Sequence, residues 1–565
     1  MGEVQDDGSS LTDSTAFDYA AHGLAAPERR PTIPGAPATL AAVLDRMVTE
    51  DPDAEALVGR SGRFSYVDLD LAVDRAARGL ASLGVEAGVR VAACLPNDVQ
   101  IVIAFLAAMR LGAIWVGVNR ALAVPEKLYL LRDCGASVLL ALPDTATQID
   151  AQSHTQNPKL ESLRQIVNVE PGNSGCEWET IQSDADAVRC PDIEIDPHGP
   201  AAIAYTSGTT GHPKGAVHSQ HNLLLPGAVS AATGRYAPDL RQGCVLPLTI
   251  LNLMVLSPLV AFQIGSCCVA MDRIDPEGLA EWVRTERVGT FAGVPTILHD
   301  LLTHPNVKPD DLESLVSPLV GGAECPEEFR DLYRERFGRE VGIGYGMTEA
   351  PTAVTSAAGA SSPDTSPRPG LCGVALPQVA IEIRDEDNRV LGPEEVGEIC
   401  VAPAPAGDWA GIYTPMLGYW DRSDASAEAL CGGVYHSGDL GLMDVDGTLF
   451  IRGRRNELIL RGGANVYPAE VERVIGEDPR VAAVAVLGIA HPRLGERVVA
   501  AVEPEPGESP APEELEAHCR SQLAAYKVPD QIVLVETLPR NAMAKVIKRE
   551  LEPLFAKQRG EEPIR

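Results

Sequence analysis

Between Thr206 and Gly215 the chain sets hydroxyls, glycines and one lysine behind a short apolar run: Thr206-Ser207-Gly208-Thr209-Thr210-Gly211-His212-Pro213-Lys214-Gly215. Ala201 to Tyr205 suits a buried strand. The glycines free backbone N–H groups, and the hydroxyls and Lys214 can converge on an anion. The chemistry implied is phosphate binding, with a nucleotide triphosphate as the ligand. The Walker loop is the obvious rival, but it places Ser or Thr directly after its lysine so that a hydroxyl reaches magnesium. Lys214 is followed by Gly215, so that grammar does not apply. A plain Ser/Thr/Gly surface loop rarely combines this order with a lysine.

A second stretch, Gly344-Tyr345-Gly346-Met347-Thr348-Glu349, offers an aromatic ring that can stack on a base, a hydroxyl that can meet a phosphate and a carboxylate that can hold a hard divalent cation. Thr206 to Gly215 resembles the signature of the adenylate-forming (AMP-binding) superfamily, which includes acyl-CoA synthetases, luciferase-like enzymes and the adenylation domains of peptide synthetases. Gly344 to Glu349 fits the same family, as do Gly418-Tyr419-Trp420, Tyr435 to Gly441, Gly453 to Ile459, Arg461 to Pro468 and Leu538 to Val546. The resemblance spans about residues 40 to 555.

The resemblance implies roles for particular residues. Tyr345 stacks on adenine, Thr348 meets the α-phosphate, Glu349 holds Mg²⁺, and Asp439 accepts both ribose hydroxyls. Gly321, Gly322, Ala323 and Glu324 back the adenine and, with Gly344, the wall of the acyl pocket, where glycine admits a flat ring close to backbone. Arg454 contacts ribose or phosphate, and Asn456 occupies the hinge between a large and a small domain. Gly462 and Gly463 line a pantetheine tunnel, and Lys545 is the catalytic lysine.

A carboxylate must attack the α-phosphate of ATP, another anion. Mg²⁺ on Glu349, the phosphate loop with Lys214, and Lys545 would cancel the repulsion. After pyrophosphate leaves, the small domain would rotate, Gly462-Gly463 would replace Lys545 at the site, and coenzyme A would take the acyl group and release AMP. No nucleophilic side chain is required, so none of the cysteines is given a covalent role. His436 reads as a packed loop histidine as readily as a catalytic group.

Two departures from the family pattern bear on substrate and mechanism. Many relatives carry an aromatic residue followed by histidine in the turn after Pro247, where this chain has Leu248-Thr249-Ile250-Leu251-Asn252. Ile250 and Asn252 therefore join Gly321 and Gly344 as acyl-pocket candidates. The expected acid is medium or large and hydrophobic, cyclic acids included, although core packing accounts for Ile250 and Leu251 equally well. Relatives also commonly place glycine before the catalytic lysine, where this chain has Ala544. If that position needs positive φ or lies against ligand, a Cβ costs on the order of 1 kcal/mol or more. Adenylation would then suffer selectively, leaving an enzyme that takes a preformed acyl-adenylate; alternatively the loop tolerates alanine.

The elements needed to hold these residues follow from pattern. Leu69, Ala72, Ala76, Leu80 and Leu83 recur at helical spacing before the strand-like Val89 to Leu95, and helices and apolar strands alternate onward to Leu142. Such alternation predicts α/β architecture with parallel sheets covered on both faces. A β-rich section, with Val379 to Ile383 and Gly397 to Val401 as strands, leads to a small α+β carboxy-terminal domain. The expected division is a mobile segment 1–35, a large AMP-binding domain 36–455 and a lid domain 456–565. Gln148 to Asp196 reads as less regular, with surface loops.

Composition limits the function classes. The 565 residues are 45% hydrophobic and 22% charged, a globular balance that supports at least two domains. Lys+Arg of 47 against Asp+Glu of 79 gives −32, a field that repels polyanions and argues against nucleic acid. The 12 cysteines form no C-x-x-C pair, so neither zinc nor a disulfide framework is indicated. An acidic start and the absence of an uninterrupted apolar run, Arg110 splitting Ile101 to Val118, argue against a signal peptide or membrane span and for a cytoplasmic protein. The expected partners are a small carboxylic acid or its adenylate, and CoA; a homodimer is compatible. Carrier-protein loading and a luciferase-like reaction share the same motifs. A non-catalytic nucleotide-binding protein would be expected to lose Lys545 or Glu349, and both are present.

Overall fold

The structure is a computed structural model and describes residues 17–556 apart from 154–159, 174, 185–192, 207–212, 317, 323–324, 326, 339–340, 351, 358–369, 462–463, 492–493, 524 and 542–544. Two seven-stranded, mostly parallel sheets, a six-stranded antiparallel sheet and a smaller carboxy-terminal sheet carry the chain. This is the α/β organisation that the alternating pattern predicts.

The sheet that bears the phosphate-loop strands runs in the order Gly418–Tyr419, Lys214–Ser219, Pro200–Thr206, Ile114–Gly117, Arg90–Cys94, Val138–Ala141 and Gln165–Asn168. Pro200–Thr206 is parallel to Ile114–Gly117 on one side and antiparallel to Lys214–Ser219 on the other, with Thr206 opposite Lys214. The loop therefore joins two paired strands as a hairpin, and the first hydroxyl and the lysine of the motif are cross-strand neighbours. Ser207 to Gly211 themselves lie outside the described residues.

The apolar stretch from Ile101 is a core element. Val99–Arg110 forms a helix whose first N–H is capped by Asp98 at 2.8 Å and whose residues from Ile101 to Met109 are buried. The chain then turns into strand Ile114–Gly117, and Arg110 pairs with Asp70. Tyr66–Ser82 packs beside this helix through Leu69, Val73, Ala76 and Leu80. Among the described residues no helix is long and apolar enough to cross a membrane.

In the other seven-stranded sheet Gln242–Cys244, Thr290–Gly293, Leu319–Val320 and Gly342–Ile343 are parallel neighbours. Their carboxyl ends deliver Gly321 and Gly344 side by side. A Cβ at Gly321 would stand 3.0 Å from the Gly344 carbonyl oxygen, so a side chain there would press on that backbone and glycine suits the close approach. The antiparallel sheet contributes Tyr435–Met443 and Thr448–Arg454, with Asp439 opposite Arg454. Beyond it, Ala464–Val466, Ile459–Arg461, Gly495–Pro504, Val481–His491 and Gln531–Leu534 form the last sheet, backed by Pro468–Gly476 and Pro512–Gln522.

Two regions differ from their sequence reading. Gln148 to Asp196 contains the end of helix Pro143–Ser153, strand Gln165–Asn168 and helix Glu177–Asp184, because the buried Trp178 anchors it by donating Nε1–H to Gln100 at 2.8 Å. In the amino-terminal segment, given as mobile, residues from Phe17 onward have packed partners. His22 stacks on Trp420 with centroids 3.9 Å apart, and Leu24 and Ile33 are buried.

Candidate functional site

Two polar clusters meet where the strands end. In the first, Glu349 Oε1 accepts a hydrogen bond from the Tyr419 hydroxyl at 3.0 Å, and Thr206 Oγ1 lies 3.3 Å away. Thr206 divides its single proton between Glu349 and the Lys214 carbonyl at 3.4 Å. Lys214 Nζ lies 5.3 Å from the centre of the Tyr419 ring, a cation–π distance. The lysine, two hydroxyls and a carboxylate thus converge at the mouth of the hairpin. Oε2 of Glu349 takes part in none of the described hydrogen bonds, which leaves a carboxylate oxygen suited to a hard cation.

In the second cluster, Tyr345 donates its phenolic proton to Asp439 Oδ2 at 2.7 Å, and Arg454 Nε approaches Oδ1 at 2.8 Å. The approach lacks hydrogen-bond geometry, so Oδ1 is a buried acceptor without a donor. The Asp439 side chain is 5% exposed while that of Arg454 is 52% exposed, so the carboxylate forms a floor beneath an open guanidinium. An unused acceptor in that position fits a vicinal diol such as the ribose of a nucleotide. Burial raises the Asp439 carboxyl above its usual range, with Arg454 and Tyr345 opposing. Burial and the adjacent Asp439 push the Tyr345 phenol well above its usual value. The Tyr345 N–H donates to Thr355 Oγ1 at 3.1 Å, which fixes the base of the ring.

Lys545 reaches this region from the carboxy-terminal domain. Its loop is closed by the Asn541 N–H on the Lys545 carbonyl at 2.8 Å and by the Lys545 N–H on Asn541 Oδ1 at 3.0 Å. Burial and the positive charge of Arg454 lower the Lys545 ammonium below its ordinary value, while Asp439, Glu349 and Glu457 act the other way. All four charged groups are therefore within electrostatic reach of one amine. Lys548 Nζ contacts Glu457 at 2.8 Å and Glu472 at 2.9 Å, tying the segment after Lys545 to the turn Arg455–Glu457 that contains Asn456.

The turn that carries Ile250 is held by Asn97, a residue that sequence reasoning did not single out for this purpose. Asn97 Nδ2 faces the carbonyls of Cys244, Leu246 and Met271, and its Oδ1 accepts the Leu248 N–H at 2.8 Å. A Cβ at Gly117 would lie 1.9 Å from the Thr249 carbonyl oxygen, so the turn rests directly on strand Ile114–Gly117. Ile250 and Asn252 are half-buried, and Ile250 directly precedes the helix Leu251–Met254. That helix continues through a π-helical turn, Val255–Leu259, containing Pro258.

The structure thus brings Thr206, Lys214, Tyr345, Glu349, Asp439, Arg454 and Lys545 into one region. Gly346 pairs with Ala353 beside them, and Gly322 has φ of +76° in open space. Thr348 is half-buried, and against its backbone lies His218, 1% exposed, with neither ring nitrogen completing a hydrogen bond. His218 shares the strand face of Lys214, a period-two relation that could have been noticed in the sequence. Tyr419 stands out in the sequence only as part of a motif, and its hydroxyl on Glu349 depends on a pairing between Gly418–Tyr419 and Lys214–Ser219 that no local pattern announces. Ser207, Gly208, Thr209, Thr210, Gly211, Ala323, Glu324, Gly462, Gly463 and Ala544 lie outside the described residues.

Comparison with known proteins agrees with this geometry. Residues 44–420 match the AMP-binding enzyme family and residues 470–545 the AMP-binding enzyme C-terminal domain. The feruloyl-CoA synthase of an Amycolatopsis species is 32% identical over 90% of this chain and 98% of its own length. The indoleacetate–CoA ligase of Aromatoleum aromaticum is 32% identical over 91% and 98%. Among solved structures, ATP-bound MatB from Rhodopseudomonas palustris superposes with a TM-score of 0.80 at 27% identity, over 91% of this chain and 99% of that one. The apo form of MatB, at the same 27% identity, gives 0.71 over 92% and 99%, so the arrangement here lies closer to the ATP-bound form. The chain belongs to the AMP-binding enzyme family, in its acyl-CoA ligase branch.

Proposed function

We propose that this enzyme activates a hydrophobic carboxylic acid through an acyl-adenylate and transfers the acyl group to CoA. The observation that carries the reading is the convergence of Lys545 on Asp439, Arg454 and Glu349. It puts one amine within electrostatic reach of the residues suited to ribose and of the carboxylate suited to a metal. In this reading Asp439 and Arg454 hold the ribose, Tyr345 lies against the adenine, and Thr348, Lys214 and the hydroxyls from Thr206 onward receive the phosphates. Lys545 bridges the acid's carboxylate and the α-phosphate, offsetting their mutual repulsion before bond formation. Mg²⁺ on Glu349 would supply charge neutralisation of the departing pyrophosphate. Asn456 is the hinge about which the carboxy-terminal domain moves to present Gly462 and Gly463 in the second step.

The acid is proposed to be bulky and apolar, with Ile250, Asn252, Gly321 and Gly344 around it. Support comes from the missing aromatic–histidine pair in the turn after Pro247, Leu248 to Asn252, and from relatives named for feruloyl and indoleacetyl substrates.

Mass spectrometry of acyl-AMP and acyl-CoA tests the proposal. Purified enzyme, CoA and Mg²⁺ would receive either ATP with a panel of aryl and alkyl acids, or the matching synthetic adenylates. Acyl-CoA from both routes is expected. Product from the adenylates alone would replace this reading with the thioesterification-only enzyme that Ala544 suggests, and product from neither would remove the CoA-ligase reading for those acids.

A further inference from the structure

Beside the ribose strand, a cysteine, a histidine and a glutamate stand in series. Cys431 Sγ lies 3.2 Å from His436 Nε2, and His436 Nδ1 lies 3.0 Å from Glu398 Oε2. Glu398 is itself fixed: Oε1 accepts the Gly438 N–H at 3.0 Å, and Arg455 Nη1 lies 3.3 Å from Oε2. With its carboxylate held against Nδ1, the ring is assigned as the Nδ1–H tautomer, turning the Nε2 lone pair toward the thiol. Nucleophile, base and orienting acid are thus in hydrogen-bond reach of one another.

Accessibility follows the same order. Cys431 is exposed, on a turn whose Gly432 and Gly433 have φ of +64° and +77°, while the His436 and Glu398 side chains are 13% and 11% exposed. Cys400 Sγ also approaches His436, 3.5 Å from Nδ1, but it is buried, and burial with the nearby Glu398 pushes its thiol up to about 12. Cys400 therefore stays protonated. The donor atoms of Glu398, Cys400 and His436 lie within 4.8 Å of one another, a spacing that a metal ion could use. Arg455 on the same carboxylate oxygen sets a guanidinium against any such cation, which favours the proton relay.

We propose that Cys431 is a site of reversible covalent modification by low-molecular-weight disulfides. His436 Nε2 takes the thiol proton, and the thiolate attacks one sulfur of the disulfide RSSR. A bond forms between Cys431 and that sulfur as the RS–SR bond breaks. The departing thiolate recovers the proton from His436 and leaves as RSH. The adduct acts on the nucleotide site because Ser437, Gly438 and Asp439 follow His436 directly. Ser437 Oγ donates to the Ile399 carbonyl at 2.6 Å and accepts the Asp439 N–H at 3.0 Å, so displacing His436 shifts the strand that positions Asp439. Arg455, on the same Glu398, adjoins Arg454. This coupling rests on the proposed ribose role of Asp439; the reactivity of Cys431 does not.

The full reduced chain would be treated with glutathione disulfide at pH 7, the adduct located by peptide mass, and AMP affinity measured by calorimetry before and after. Cys431 is expected to react about tenfold faster in the folded protein than in the urea-unfolded chain. Cys431→Ser removes this adduct and leaves AMP affinity unchanged. His436→Gln, with folding verified by circular dichroism, slows labelling to the unfolded rate. AMP affinity falls several-fold in the adduct and returns with dithiothreitol. A native Cys431 no faster than the unfolded one overturns the relay, and a stoichiometric adduct with undiminished AMP affinity overturns the coupling. AMP affinity of the unlabelled Asp439→Asn variant tests the ribose assignment separately.

Discussion

Tyr345 and Asp439, separated by 94 residues, share a hydrogen bond of 2.7 Å that locks the aromatic motif of one sheet to the acidic motif of another. The bond uses Oδ2 and leaves the buried Oδ1 for a ligand. Asp439→Asn keeps the shape but weakens the acceptor, and removing a hydrogen bond to a charged group typically costs about 1.5–3 kcal/mol. The KM for ATP should therefore rise roughly 10- to 100-fold, with a smaller change in the KM for the acid. Tyr345→Phe should raise it less, because Asp439 survives. Equal effects on both substrates, read by pyrophosphate release, would contradict the ribose assignment.

The environment of Lys545 sets the alkaline side of the activity profile. Burial and Arg454 lower its ammonium below the ordinary lysine value. The active form is the protonated one, so kcat/KM should fall as pH rises, and the fall should begin at lower pH than for a lysine in water. Lys545→Arg keeps its charge throughout that range. It should lose roughly 100-fold or more in adenylation while its residual activity shows no such limb. A limb that persists in the arginine variant would assign it to another group.

Lys548 offers a way to separate the two half-reactions. Its contacts with Glu457 and Glu472 tie the catalytic-lysine segment to the turn at the proposed hinge. The carboxylates raise the Lys548 ammonium above its usual value although burial opposes them, so the charge persists. Lys548→Ala should slow acyl-AMP formation several-fold while leaving acyl-CoA formation from a synthetic adenylate near the wild-type rate. Parallel losses in both steps would indicate general destabilisation.

The motifs were legible in the sequence because each joins residue types that local packing alone does not explain, and the α/β pattern was legible because helical and strand periods differ. Joining the pieces required tertiary information. Nothing local to Gly117 states that the Thr249 carbonyl will rest on it, and nothing local to Asn97 states that it will serve three carbonyls. The regular elements between Gln148 and Asp196 were missed because each is short and weakly periodic, and Trp178 earns its place through Gln100, far away in sequence. The relay through Cys431 was invisible for a similar reason: Glu398 comes from a neighbouring strand, and His436 alone looks like a packed histidine.

His218 should leave a signature in acid stability. Its ring is buried beside the Thr348 backbone, and burial pushes its pKa down to about 4 from an ordinary value near 6.5. Between those values the unfolded chain binds a proton that the folded protein refuses, so stability falls as pH drops through this window and is unaffected by His218 above it. The shift corresponds to roughly 3 kcal/mol across the window. His218→Leu, which fills similar space without a titrating ring, should lack this loss. Denaturant unfolding of both proteins at pH 7.5, 6, 5 and 4.5 measures the difference, which should widen steadily below pH 6.5. Parallel stability curves would mean that the ring is protonated in the folded protein, and therefore that it has a polar partner there.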